Sequence, residues 1–236
     1  MKRFYKTAEA GTAPGGYVVR LDGKLLKTPL QNNLILSSQK LAADIAGEWG
    51  AQKDNIVPSS MPMTQLANTM VDKAMGHERA EMNRQVAAFG ASDLLCYLAT
   101  YPPTLVRRQK ELWLPLLEWM KVRFGAELKS VSGIQYLQQP EDSLKKIEKI
   151  VADMGPEAFT ALQAATGVTG SLVIALALVE GRLDAEGAWQ AATVDEVYQL
   201  EKWGEDALAR ARLDKIRAEL REAVAFLQCF SEENIT

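Results

Sequence analysis

The sequence predicts an α+β fold that is predominantly helical, with a small N-terminal β-containing domain over residues 1–76 and an all-helical C-terminal domain over residues 77–236. Three features carry this expectation. Asp22-Gly23 stands between two strand-like runs and is the pair a two-residue type I′ turn selects, because both central residues need positive φ. From Leu66 onward, apolar residues recur at helical spacing through most of the chain. The segment LVIALALV, beginning at Leu172, is hydrophobic on every side, as a helix at the centre of a helical domain is.

Residues 17–21 and 24–28 are expected to pair across the Asp22-Gly23 turn, and Pro29, with no N–H for a ladder, to end the second strand. Residues 11–16, rich in glycine, read as a flexible turn ahead of the first strand. Residues 34–36 form a third short strand, and Ser37 or Ser38 caps a helix whose Leu41, Ile45 and Trp49 share one face. Leu66, Met70 and Ala74 mark the next buried helical face. A helical run follows with Met82, Val86, Phe89, Leu94, Leu95 and Leu98, bent at Gly90 and stopped by Tyr101-Pro102-Pro103.

The next helix carries Leu105, Trp113, Leu116, Met120 and Phe124, is kinked by Pro115 and closes at Gly125. An irregular or strand-like piece over 128–137 leads to a helix with Leu144, Ile147, Val151 and Met154. Gly155 is expected to cap that helix and Pro156 to start another. Thr193 and Glu196 have capping-box spacing and open a final helix with a break at Gly204.

A composition of 47% hydrophobic and 24% charged residues is that of a globular protein. With 27 basic and 30 acidic residues the net charge of −3 provides no field for nucleic acid, so no nucleic-acid partner is expected. Cys96 and Cys229 are distant and lie in no CxxC pair, which fits a reducing compartment. The basic start has no apolar run behind it, and LVIALALV is far shorter than the ~20 residues a bilayer needs, so neither a secretory signal nor membrane insertion is expected.

A single histidine, His77, leaves no multi-histidine metal site and reads as a solvated residue near a helix junction. The Walker, GxGxxG and GxSxG patterns are absent, and neither a catalytic residue nor a cofactor is assigned. Thr166-Gly-Val-Thr-Gly-Ser171 resembles a phosphate loop only in its glycines; without a lysine or a preceding strand it reads as close helix packing with Thr169 or Ser171 as a cap. Around Trp203 lie Asp195, Glu196, Glu201, Glu205 and Asp206. With Glu201 and Glu205 four apart on one helix face, this reads as a solvated acidic face or as a protein-docking surface. Methionines around Met61-Pro-Met63, if exposed, would form an adaptable apolar surface.

In order along the chain, Arg3-Phe-Tyr-Lys6, Leu21-Asp-Gly-Lys-Leu-Leu-Lys-Thr-Pro29, Glu48-Trp-Gly-Ala-Gln52, Met61-Pro-Met-Thr64, Ser92-Asp-Leu-Leu-Cys-Tyr97, Gln109 with Trp113, Thr169-Gly-Ser-Leu172, and Asp195-Glu with Gln199 and Trp203-Gly-Glu205 resemble one family. This is the alpha-subunit assembly chaperone family of the ATP synthase catalytic head (F-one sector), of the Atp-twelve type. The resemblance implies a two-domain, non-enzymatic holder that binds the unassembled ATP synthase alpha subunit and masks its beta-facing surface. It also implies a partner-binding role for an acidic residue after the Trp-Gly pair: Glu205, or Glu201 or Asp206, beside Trp203. The first motif begins at Arg3, without the targeting extension of mitochondrial members, so the chain is expected to be bacterial and cytoplasmic. Two rivals stand beside this reading: a general adaptor with another client, and a small-molecule enzyme using the carboxylates near Trp203.

Overall fold

The computed structural model describes residues 1–231; residues 232–236, which the expected C-terminal domain includes, lie outside the described residues. The fold is α+β and mostly helical, with its principal sheet at the N-terminus. Two compact units are present: residues 1–79 together with the end of the last helix from Ala225, and residues 80–224.

In the first unit, β1 (Ala8–Ala13) and β2 (Gly16–Leu21) form an antiparallel hairpin registered from Ala8 against Leu21 to Ala13 against Gly16. The glycine-rich stretch 11–16 is thus strand and tight turn, and not the loose lead-in its sequence predicts. Ala8–Ala13 has no β-branched or aromatic residue except Thr12, and its order comes from pairing with β2. Asp22 (φ 47°) and Gly23 (φ 80°) make the expected turn into β3 (Lys24–Leu25), and β4 (Ile35–Leu36) also pairs with β2. All these pairings are antiparallel.

Helix α1 (Gln39–Gly50) buries Leu41, Ile45 and Trp49 as their spacing predicts. Of the two serines, Ser38 is the cap: its Oγ accepts the Leu41 N–H at 3.1 Å and donates to the Cys229 carbonyl. Ser38→Ala removes both bonds from a fully buried side chain. A loss of about 1–2 kcal/mol in urea unfolding is expected. After α1 comes α2 (Pro62–Thr69), which continues into a π-helical turn, Met70–Ala74, closed by the Met75 N–H on the Met70 carbonyl at 2.9 Å. The buried residues here are Met63, Ala67, Met70 and Ala74, while Leu66 is only half-buried. Met61 and Met63 are 3% and 8% exposed, so the methionine surface expected there is core.

The second unit begins within α3 (Arg79–Ala88), which is shorter than its periodicity predicts. At Gly90 a Cβ would lie 2.8 Å from Ile147 Cδ1, so the chain passes Ile147 too closely for a side chain at this position. Asp93 then caps a single turn over Leu94–Cys96, and β5 (Tyr97–Leu98) pairs in parallel with β6 (Val131–Ser132). Helix α4 (Pro103–Phe124) ends on Gly125 in the left-handed conformation (φ 68°).

Helix α5 (Glu141–Asp153) gives way to α6 (Pro156–Thr169) at Gly155, which is extended (φ −60°, ψ 159°) and begins α6, where a left-handed cap on α5 was expected. Helix α7 (Leu172–Val179) is fully buried from Leu172 through Leu178, as its all-apolar sequence requires. Helix α8 (Ala185–Ala192) anchors through Trp189, whose indole N–H donates to the Leu213 carbonyl at 2.9 Å. Thr193 makes no capping box: its hydroxyl donates back to the Trp189 carbonyl at 2.7 Å, so the preceding helix takes it before Val194 begins α9 (Val194–Trp203). The last helix, α10 (Ala207–Ser231), follows the break at Gly204. Among the described residues no helix is long and apolar enough to cross a membrane.

Candidate docking elbow and the sites beside it

The four residues singled out by sequence converge where α9 turns into α10. Helix α9 is held to α4 by three polar links. Gln109 donates to Asp195 Oδ1 at 2.6 Å, the Thr104 and Tyr198 hydroxyls lie 2.6 Å apart, and Arg108 pairs with Glu201 at 2.7 Å. The Arg108 guanidinium also sits over the Tyr198 ring, 5.3 Å from its centroid. Gly204, at φ 97° and ψ 172°, stops α9 and donates to the Leu200 carbonyl at 3.0 Å. Only glycine reaches this conformation without strain.

Past the break, Asp206 Oδ1 accepts the Ala209 N–H at 2.7 Å and so caps α10. Glu205 pairs with Arg210, and the hydrogen bond from that guanidinium holds the Glu205 carboxyl below its ordinary range. Trp203 is left 79% exposed and Leu208 84% exposed. A large aromatic and a leucine are therefore presented to water beside carboxylates where α9 turns into α10. This has the anatomy of an interface anchor with a charged rim.

Glu201 and Glu205 do not share one continuous helix face, because the Gly204 break falls between them; each holds its own arginine. Asp206 is committed to the α10 cap.

The Thr166–Ser171 loop is a cap, as expected, with an added partner that sequence reasoning missed. Gly170 ends α6 in the left-handed conformation (φ 68°), and Ser171 Oγ accepts the Ile174 N–H at 3.1 Å at the start of α7. That hydroxyl donates to Asp93 Oδ1 at 2.7 Å, and Asp93 Oδ2 accepts the Val173 N–H at 3.1 Å. The acceptor at this helix N-terminus is thus the chain's own buried carboxyl group. The only available signal was Asp93 placed to cap a turn; its distant partner has no local signature. Cys96 nearby is buried, and burial, reinforced by Asp93, pushes its thiol up to about 12, far from reactive thiolate chemistry. His77 lies exposed in the turn before α3, as its sequence context predicts.

Residues 2–121 match the ATP12 chaperone protein family. The crystal structure of ATP12 from Paracoccus denitrificans is similar throughout, with a TM-score of 0.88 and 34% identity, covering 97% of each chain. A crystal structure of an Agrobacterium tumefaciens protein superposes with a TM-score of 0.88 at 36% identity, covering 98% of this chain and 86% of that one. The mitochondrial protein atp12 of Schizosaccharomyces pombe is 24% identical over an alignment of 219 residues that covers 87% of this chain and 75% of that one.

Proposed function

This chain belongs to the ATP12 chaperone family, and we propose that it assists assembly of the ATP synthase catalytic head by binding the unassembled alpha subunit and masking its beta-facing surface. The observation that carries the reading is the α9–α10 elbow, where Trp203 and Leu208 stand in water beside Glu205, Glu201 and Asp206. The elbow is the contact, with Trp203 as its anchor and Glu205 as the charge that orients the client. The holder works as a cytoplasmic protein and without catalytic steps of its own. A subunit awaiting its partner exposes apolar surface that otherwise aggregates, and a cover of moderate area yields to the larger permanent interface. Exchange therefore needs no nucleotide hydrolysis by this chain.

The test is capture of purified, unassembled alpha subunit by the full chain in the absence of ATP, together with suppression of its aggregation. Glu205→Lys reverses the charge at an exposed position outside the core, so its melting curve should match the wild type while alpha-subunit affinity drops roughly tenfold. Trp203→Ala should weaken capture at least as much. Undiminished capture by both variants would remove the elbow from the interface. No capture by the folded wild type would remove the alpha subunit as client.

A further inference from the structure

The groove within residues 1–79 is unused by the elbow. It encloses ≈ 860 Å³, a volume in the range of sites that take ligands, ~300–1,000 Å³. Its apolar walls are Tyr5, Leu21, Leu26, Trp49, Ile56 and Met61. Phe4 and Leu25 stand at its mouth, 65% and 41% exposed.

Phe4 is held in place by the backbone around it. The Arg3 guanidinium donates to the carbonyls of Tyr5 at 3.1 Å, Lys6 at 2.9 Å and Gln52, and the Arg3 N–H donates to the Asp54 carbonyl at 2.9 Å. Tyr5 is turned inward, its hydroxyl donating to the Trp49 carbonyl at 2.7 Å, and Phe4 is therefore turned outward. Its ring makes an edge-on aromatic contact with Tyr5, at 5.3 Å and 80°. A fixed, exposed aromatic at the rim of an apolar groove marks a contact surface.

The charge of the groove defines the occupant. Lys24 and Lys27 line the groove, and neither has an ion-pair partner among the described residues. The acid in the lining, Asp22, is committed elsewhere: it accepts the N–H groups of Lys6 at 2.9 Å and Thr7 at 2.8 Å. The unspent charge is thus positive. An occupant with apolar side chains and flanking carboxylates complements both the walls and the charge, and an extended acidic-flanked polypeptide segment has them together.

We infer that this groove binds an extended apolar segment of the client chain flanked by acidic residues, as a second contact separate from the elbow; the inference rests on the reading of this protein as a polypeptide holder. The experiment uses the full chain and three labelled peptides read by fluorescence anisotropy. One has a leucine–valine centre with glutamates at both ends, one the same centre with lysines, and one a serine centre with glutamates. The first should bind about tenfold more tightly than the others. Phe4→Ser should abolish that preference, and the double variant Lys24→Glu/Lys27→Glu should invert it towards the lysine-flanked peptide, both with unchanged Tm.

Equal affinity for the glutamate- and lysine-flanked peptides, or unaltered binding by both variants, overturns the inference. So does co-sedimentation with phosphatidylglycerol vesicles that Phe4→Ser removes, which assigns the surface to a membrane, or concentration-dependent dimerisation that Phe4→Ser removes, which assigns it to a second copy. The failure of the client reading looks different: the wild type then binds the glutamate-flanked peptide but captures no alpha subunit. Conversely, alpha capture without any peptide binding, unaltered by Phe4→Ser, sinks the groove alone.

Discussion

Asp93→Ala is expected to cost about 3–5 kcal/mol in urea unfolding, because it strips an acceptor from three buried donors, each worth ~1–3 kcal/mol when left unpaired. Asp93 is 0% exposed and accepts the Ser171 hydroxyl at 2.7 Å, the Leu95 N–H at 3.1 Å and the Val173 N–H at 3.1 Å. It joins the turn after α3 to the first turn of α7, whose residues Leu172 to Leu178 are all buried. Water cannot reach the vacated site without opening that core. Asp93→Asn keeps one acceptor and turns an amide N–H₂ towards the remaining donors, so it should lose about half as much.

The two variants also separate charge from shape. Burial raises the Asp93 carboxyl above the ordinary aspartate range, with Ser171 and the backbone N–H groups opposing that rise. Its folded value therefore exceeds its unfolded value near 4, and the native state keeps a proton that the unfolded chain releases. The stability this supplies is full below the unfolded value and disappears as pH rises through the folded one. The gap between wild type and Asp93→Asn should accordingly narrow as pH climbs from about 4, whereas carboxyls held low, such as Asp72, act with the opposite sign in both proteins and cancel. A gap that widens over that window would contradict the assignment.

What the sequence disclosed and what it withheld follow from the range of the forces involved. Local chemistry was legible: Asp22-Gly23 at its positive φ values, Ser38 as a cap, the α1 stripe of Leu41, Ile45 and Trp49, and the all-apolar α7. Misreadings arose where a distant partner overrode a local signal. The β1 strand has little propensity of its own and exists through β2; Thr193 is taken by Trp189; Met61 and Met63 are buried.

The motifs that carry the family resemblance show the same division. Several of them pair with one another across the chain: Glu48 with Met63 and Thr64, Asp93 with Ser171, Gln109 with Asp195. Their side chains are stitches that hold helices together, and no periodicity reveals which stitch meets which. Trp203 and Glu205 are different, because the fold turns them outward and leaves Trp203 uncovered. The sequence placed Glu201, Trp203, Glu205 and Asp206, the candidate contact residues, near one another but put Glu201 and Glu205 on a single helix face, which Gly204 prevents.

Glu48 carries the second large effect, since helix α2 has no cap of its own. Its first residue is Pro62 and the residue before it is Met61, whose side chain makes no capping hydrogen bond. The first-turn donors left without a cap are taken by a carboxylate from the preceding helix: Glu48 Oε1 accepts the Met63 N–H at 2.7 Å, and Oε2 accepts the Thr64 N–H at 2.8 Å and the Thr64 hydroxyl at 2.6 Å. A full negative charge thus sits where the α2 dipole favours one, in charge-assisted bonds to groups that are nearly or fully buried. Glu48→Ala should therefore cost about 2–4 kcal/mol. Glu48→Gln, which keeps one acceptor without the charge, should cost roughly half of that. A loss below ~1 kcal/mol for alanine would mean that water replaces the cap and that the connection between α1 and α2 is looser than described. Because Thr64, Gln65 and Asn68 of α2 line the groove, the alanine variant should also weaken the glutamate-flanked peptide. The glutamine variant should retain it wherever α2 stays docked, so the ratio of peptide affinity to stability across the pair distinguishes a deformed groove from a merely less stable fold.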